Sequence, residues 1–388
     1  VVIYDIKVNF GLPYFFRCLN KQVAIAGGGL AGLLAALALA RQGARVVLIE
    51  KKTYPFHRVC GEYISNETIP YLRSLDAFPE AWRPAQITTL QLTSVNGRAA
   101  HLPLDLGGFG VSRFVFDHFL AGRVVQEGGR IKQGCEIEKI TFDDEQFHLS
   151  TTAGEVDADV VIGSFGKRSK LDYALHRQHV RNRSPYAGIK YHVKINHPEA
   201  LIALHNFKDG YCGISRVEAD TVNLCYLTHQ RNLRQYKDVR TMEEQVLFRN
   251  PFLKQIFTGA HFLFEKPEVI NEISFATKQP VESHILMAGD AAGMITPLCG
   301  NGMALAIHSA KVVSEWVLRF CRNEISRDDM EQGYATEWRR RFAARLWAGR
   351  QIQNLFGGEA ASNAAVNLAR YGKPVANFLI RQTHGQPF

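Results

Sequence analysis

Cysteine is scarce and poorly spaced for metal or disulfide chemistry. The 388 residues hold seven, at 18, 60, 135, 212, 225, 299 and 321, with no Cys-x-x-Cys pair. An odd, scattered set argues against a disulfide framework or a structural zinc site and sets the expectation of a metal-free, cytoplasmic protein. Long apolar runs are missing too: the longest, Leu33 to Ala40, is too short to cross a bilayer. Acidic residues are in deficit, 37 against 46 Lys and Arg, leaving a net charge of +9 that suits anionic ligands such as phosphates. No nucleic-acid motif accompanies the charge, so no nucleic-acid partner is expected. Internal repeats and low-complexity tracts are absent. Residues 1–20 carry Asp5, Lys7 and Arg17 among apolar neighbours and no small-residue cleavage site, so they read as an N-terminal extension rather than a signal peptide.

Glycine, by contrast, is placed where it means something. Gly27-Gly28-Gly29-Leu30-Ala31-Gly32 follows the short apolar run Val23–Ala26 and opens an Ala/Leu-rich stretch of helical length. A second apolar run, Arg45 to Ile49, ends at Glu50, eighteen residues after Gly32. This is a dinucleotide fingerprint in its full context. Gly27 serves the tight strand-to-helix turn, Gly29 the close approach of backbone to a pyrophosphate, and Gly32 helix–strand packing. The helix start offers free N–H groups to phosphates, and Glu50 a carboxylate to ribose hydroxyls. The plainer alternative is an ordinary Gly-rich strand–helix turn.

A second constellation follows the buried run Ile285–Ala288: Gly289-Asp290-Ala291-Ala292-Gly293, then Pro297-Leu298-Cys299-Gly300-Asn301-Gly302-Met303. Asp290 sits where a carboxylate can hold a polyhydroxyl chain. Gly300 and Gly302 open a helix expected from about Gly302 to Phe320, whose N–H groups can stabilise negative charge. Between the two constellations, Ile87–Val95 reads as a strand and Asn96-Gly97 as a hairpin turn. Ser112 reads as the cap of a helix over 113–127. Arg130–Ile140, Phe147–Thr152 and Val156–Ile162 read as three strands. From about 185 to 275 the sequence becomes β-rich, with Ile189–Ile195 strictly alternating. From 330 onward it looks helical.

The two constellations, in this order, resemble the FAD-binding fold of the aromatic-hydroxylase and geranylgeranyl-reductase superfamily from about Lys21 to Phe320. The resemblance implies an α/β fold: a Rossmann-type FAD-binding domain over 21–170 and 280–330, an inserted antiparallel substrate domain over 171–279, and a helical tail over 331–388. It implies noncovalent FAD. Gly27, Gly29, Leu30, Ala31, Gly32, Glu50 and Lys51 match the ADP-binding part; Gly289 and Asp290 match the ribityl contact. Pro297, Gly300, Asn301, Gly302 and Met303 match the loop beside the flavin ring. Arg113, in Ser112-Arg113…Phe116-Asp117, matches a helix whose arginine reaches the cofactor's polar chain. Arg58, Cys60 and Gly61 match a segment of the reductase branch that approaches the flavin. Cys60 and Cys299 are weak catalytic candidates; packing beside the ring is the preferred role for both. His57 and His308 read as structural.

Two departures limit what the resemblance implies. Phe165 stands in Ser164-Phe165-Gly166-Lys167-Arg168 where the family carries an acid before the glycine. NAD(P)H as reductant of the flavin therefore stays open. Only Tyr211 remains of the aromatic motif of prenyl reductases, and no Trp-x-Trp-x-Ile-Pro segment exists, which disfavours the halogenase branch. The expectation is a monooxygenase-like oxidoreductase for an apolar or aromatic small molecule. Its rivals are a prenyl double-bond reductase and a flavin carrier or sensor without turnover. The basic run Trp338 to Trp347, with Arg339, Arg340, Arg341 and Arg345, reads as a packing helix in preference to a membrane-touching one.

Overall fold

The computed structural model describes residues 19–181, 184–271, 273, 275–296, 300–353 and 358–388. Cys18, Pro297, Leu298 and Cys299 lie outside them, as does all but the end of the N-terminal extension.

A six-stranded sheet carries the fingerprint. Its order is Val281–Glu282, Ile285–Met287, Val160–Gly163, Leu19–Ala26, Ala44–Glu50, Arg130–Gln133, parallel throughout except for the first pair. Parallel strands need both faces covered. The helix Leu30–Ala40 covers one face, with ten of its eleven residues buried. It packs in turn against helices Arg113–Gln126 and Gly302–Cys321, which is why it is apolar all round rather than striped. Leu33, Leu34, Leu37 and Leu39 are fully buried, each contributing about 1.5–3 kcal/mol. A three-stranded antiparallel sheet, Ile137–Asp143, Gln146–Thr151 and Gly154–Ala158, packs near the strands Leu19–Ala26 and Val160–Gly163.

The three strands expected between 130 and 162 are thus five. Gly134, at φ +64°, breaks the first run after Gln133. Asp159 breaks the third, its carboxylate accepting the Gln22 N–H at 2.6 Å. The Asn96-Gly97 hairpin forms as expected, joining Ala85–Thr93 to Ala99–Gly110 with Gly97 at φ +81°.

A second sheet of nine strands runs His261–Phe262, Tyr186–Lys194, Val222–His229, Gly210–Arg216, Leu201–Phe207, Ala85–Thr93, Ala99–Gly110, Tyr63–Ser65, with Glu268–Asn271 also on Tyr186–Lys194. Every pairing is antiparallel except Leu201–Phe207 on Ala85–Thr93. Ile189, Tyr191 and Val193 point into a core shared with Met242, Val246 and Phe257. Those come from helices Val239–Val246 and Pro251–Gly259, which, together with Gln230–Tyr236, the β-rich reading of this region missed. Their starts are capped by the side chains of His229, Asp238 and Asn250.

The C-terminal part is helical as expected, over Arg327–Gln353, Glu359–Tyr371 and Lys373–Thr383. Trp338, Phe342 and Leu346 bury themselves in the core around the six-stranded sheet. Among the described residues no helix is long and apolar enough to cross a membrane.

Candidate functional site

The fingerprint loop is shaped by contacts that only glycine tolerates. Gly27 has φ +107°, and a Cβ there would sit 2.6 Å from the Ser164 carbonyl oxygen. A Cβ on Gly32 would overlap the Gly27 carbonyl oxygen and the Ser164 hydroxyl. Ser164 Oγ donates to the Gly27 carbonyl at 2.6 Å, locking the crossover strand to the loop. Gly29 differs: it precedes the helix in extended backbone, and its only close neighbour would be Arg113 Nη2 at 3.7 Å. The helix start is therefore open on that side, as a pyrophosphate cradle requires. Leu30 and Ala31 follow, both buried.

Glu50 is nearly buried and already engaged. It accepts the Gly28 N–H at 2.9 Å, the Lys52 N–H at 3.0 Å and Arg58 Nη2 at 3.0 Å. Arg58 also reaches the Gly28 carbonyl at 3.1 Å and Asp117 at 3.1 Å, and lies 4.3 Å above the Phe56 ring. Arg113 clasps Asp117 with two bonds of 2.7 Å. The two arginines therefore meet on one carboxylate at the mouth of the fingerprint. Tyr54 completes the ring, donating to the Gly28 carbonyl at 2.5 Å. Burial, with Asp117 and Glu50 nearby, pushes its phenol up, so it stays protonated. Lys51 is exposed.

The second constellation closes against the first. Gly289, at φ +60°, would place a Cβ 3.0 Å from Ala31, and its N–H donates to Ser309 Oγ at 3.0 Å. The Asp290 carboxylate makes no hydrogen bond among the described residues. Burial raises its pKa, with Lys167, Lys278 and Arg113 near enough to oppose that. Its backbone is fixed from behind: Lys278 Nζ donates to the carbonyls of Asp290 and Lys167, both at 2.8 Å. Fully buried Arg177 binds the Ala291 carbonyl at 3.0 Å, Asp172 at 2.9 Å and Glu282 at 2.6 Å. Gly300, at φ +63°, lies beside the Tyr63 ring, Gly302 starts the long helix, and Met303 is buried. Asn301 is spent on structure, donating to Glu67 at 2.8 Å. Glu67 also takes Arg345 at 2.9 Å, tying the basic tail helix to this loop.

Cys60 and Gly61 face the nine-stranded sheet. Asn223 donates to the Cys60 carbonyl at 3.1 Å. Burial pushes the Cys60 thiol up, which suits packing rather than thiolate chemistry. No atom lies within 4 Å of where a Cβ on Gly61 would sit. His57, three residues before Cys60 in the chain, stacks on Phe114 and leans on Phe264, both at 4.6 Å. His308 stacks on Phe388 at 3.8 Å, a packing role.

Sequence reasoning missed Glu62, Lys190 and His192, which join here. Glu62 is fully buried, and accepts Lys190 Nζ at 2.5 Å, His192 Nε2 at 2.6 Å and the Arg113 N–H at 2.8 Å. Burial alone would raise its carboxyl, but Lys190 and His192 hold it down at about 2. Lys190 and His192 alternate with the core residues of their strand, so they read as a solvent face. The available signal was Glu62, two residues after Cys60.

An open, N–H-rich helix start, an unpartnered carboxylate ringed by cations and a paired-arginine mouth fit the phosphates and the polyhydroxyl chain of FAD. The family model described as FAD binding domain matches residues 20–348. Among curated relatives, Conditioned medium factor receptor 1 of Dictyostelium discoideum is 23% identical over 83% of this chain and 68% of its own length. Flavin-dependent halogenase armH3 of Armillaria mellea is 25% identical over 74% of this chain and 65% of its own. A digeranylgeranylglycerophospholipid reductase of Methanosarcina acetivorans is 22% identical over 82% and 80%. The chain thus spans about two thirds of the length of the first curated relatives. Among solved structures, PqsL of P. aeruginosa in complex with 2-aminobenzoylacetate superposes with a TM-score of 0.73 at 17% identity, over 89% of this chain and 98% of that one. At such identity the likeness shows the fold. The chain belongs to the FAD binding domain family, within the aromatic-hydroxylase and geranylgeranyl-reductase superfamily of FAD-dependent oxidoreductases, and FAD is its cofactor.

Proposed function

We propose that this protein is a monooxygenase-like enzyme acting on an apolar or aromatic small molecule. The observation that carries the reading is the aromatic wall of His57, Phe114 and Phe264, which stands against His192 of the nine-stranded sheet. In this reading residues 21–170 and 280–330 carry the cofactor, 171–279 the substrate, and 331–388 a tail. Gly27, Gly29 and Gly32, with the helix start, hold the pyrophosphate, and Arg58 and Arg113 fix the rim. Glu50 has one acceptor site left for ribose after its three bonds. Asp290 receives the ribityl hydroxyls. FAD supplies the redox chemistry; the chain supplies grip, orientation and a water-poor pocket.

A second reading, reduction of a prenyl double bond, is favoured by the open space at Gly61 and by the reductase among the relatives. Turnover of candidate aromatics and prenyl compounds with and without oxygen separates the two. Oxygen-dependent product supports the first reading, and product formed anaerobically overturns it. Rapid NAD(P)H bleaching of bound flavin, with and without substrate, decides whether the Phe165 loop admits a nicotinamide.

A further inference from the structure

Phe165 stands where an acid was expected, and its ring packs back onto its own strand. A Cβ on Gly163 would lie 2.9 Å from Phe165 Cε1, and the ring joins the core around the six-stranded sheet. The backbone on either side of Phe165 lies between the two halves of the cofactor site. On the fingerprint side, Ser164 Oγ donates to the Gly27 carbonyl at 2.6 Å, and a Cβ on Gly27 would sit 2.9 Å from Phe165 Cα. On the other side, Lys278 Nζ donates to the carbonyls of Lys167 and Asp290, each at 2.8 Å. Gly166, at φ +83°, turns the chain between these two attachments. Gly27 and Asp290 are thus joined through Ser164, Lys167 and Lys278.

Lys278 is built for that joint. It is 5% exposed, and its ammonium spends one donor on each of two backbone segments. Burial, helped by Arg177 and Lys167, pulls its pKa down to about 8, while Asp172 and Asp290 oppose the fall. It therefore keeps its charge at neutral pH, and charge-assisted bonds to carbonyl oxygens are the strong kind. Arg177 holds the flanks of the same joint, donating to the carbonyls of Gln279 at 3.3 Å and Ala291 at 3.0 Å.

We infer that Lys278 is a positioning residue for FAD, and that the loop 164–168 is the strut through which it sets the spacing of the Gly27 loop and the Asp290 turn. The inference rests on the placement of pyrophosphate and ribityl chain given under the proposed function. FAD is one molecule of fixed length that must meet both places. Its two ends bind as linked ligands do: once one is seated, the other is already near its partner. That gain holds only while the two places keep the right separation, and a fixed separation spares the cost of ordering them on binding.

The test compares a whole ligand with half of it, on the full chain freed of FAD. FAD spans both places, and ADP occupies the fingerprint end alone. Lys278→Met keeps much of the buried volume and removes the ammonium. It is expected to weaken FAD about tenfold or more and ADP by less than about twofold, both read by calorimetry. Lys278→Arg, which can still donate to two carbonyls, is expected to recover part of the loss. Lys278→Gln serves if the Met variant does not fold. In an Asp290→Asn background, Lys278→Met is expected to cost FAD less than about threefold more, because the carboxylate it positions is already gone. Equal loss of FAD and ADP marks a merely structural lysine and overturns the inference alone. So does unchanged FAD affinity, or full additivity with Asp290→Asn. ADP that fails to displace FAD from wild type overturns the placement of the cofactor, and the inference with it.

Discussion

Arg58 and Glu50 meet at 3.0 Å, and that contact joins the acid that closes the fingerprint to the loop that carries Cys60, Gly61 and Glu62. The fingerprint strand and this loop thus share one ion pair. Arg58 is partly open while Glu50 is nearly buried, so removing Arg58 strands a buried carboxylate. Arg58→Ala is expected to weaken FAD binding by about tenfold or more, read by flavin fluorescence quenching during titration. It is also expected to alter the substrate-side loop, read as a raised KM. A variant with unchanged FAD affinity would show the pair to be incidental.

Gly32→Ala tests the loop geometry. The added methyl overlaps the Gly27 carbonyl and the Ser164 hydroxyl, and one of these is backbone with nowhere to go. The expected cost is about 1–3 kcal/mol of stability together with loss of FAD, seen in thermal unfolding and in the yellow absorbance after reconstitution. Gly61→Ala, facing open space, is expected to leave both nearly unchanged.

Asp290→Asn should separate stability from binding. The carboxylate is held up by burial and gains no hydrogen bond from the described protein, so neutralising it relieves the apoprotein. The unfolding midpoint of apoprotein is expected to stay level or rise, while FAD affinity falls about tenfold or more. A fall in both would mean that Asp290 is structural.

Glu243 gives a pH signature away from the cofactor. It is a buried residue of the helix Val239–Val246, accepting Tyr226 at 2.6 Å and Tyr191 at 3.0 Å. Burial outweighs those bonds and raises its carboxyl from 4.5 to about 7. The folded state then holds a proton that the unfolded chain has released. Stability from this residue is full below pH 4.5 and declines as pH rises to about 7, a loss of about 3 kcal/mol. Glu243→Gln is expected to flatten that slope in urea unfolding at several pH values.

The fingerprint turn was legible in the sequence because it is one continuous strand–loop–helix. Gly27, Gly29 and Gly32 fall within it, although distant Ser164 is part of what forbids a side chain at Gly27 and Gly32, and Ser112 caps the helix it precedes, accepting the Val115 N–H at 3.2 Å. The Glu62 cluster was illegible because its contacts are distant. Lys190 and His192 reach Glu62 across more than a hundred residues, and their alternation matches that of a surface strand. Asn301 carries a contact that no spacing rule records: its side-chain amide donates to Glu67 at 2.8 Å, 234 residues away in the chain.

The six-stranded sheet carries a timing constraint. Val160–Gly163 has Leu19–Ala26 on one side and, on the other, Ile285–Met287, which comes more than a hundred residues later. During synthesis the growing chain must hold an unpaired parallel edge until that late strand arrives, and such edges are slow to close and prone to aggregate. Asp290 follows the late strand almost at once. A chain that has not finished its sheet has not placed Asp290, the proposed ribityl contact, so flavin retention is expected to report completed folding, and added FAD in the growth medium should raise the yield of soluble protein.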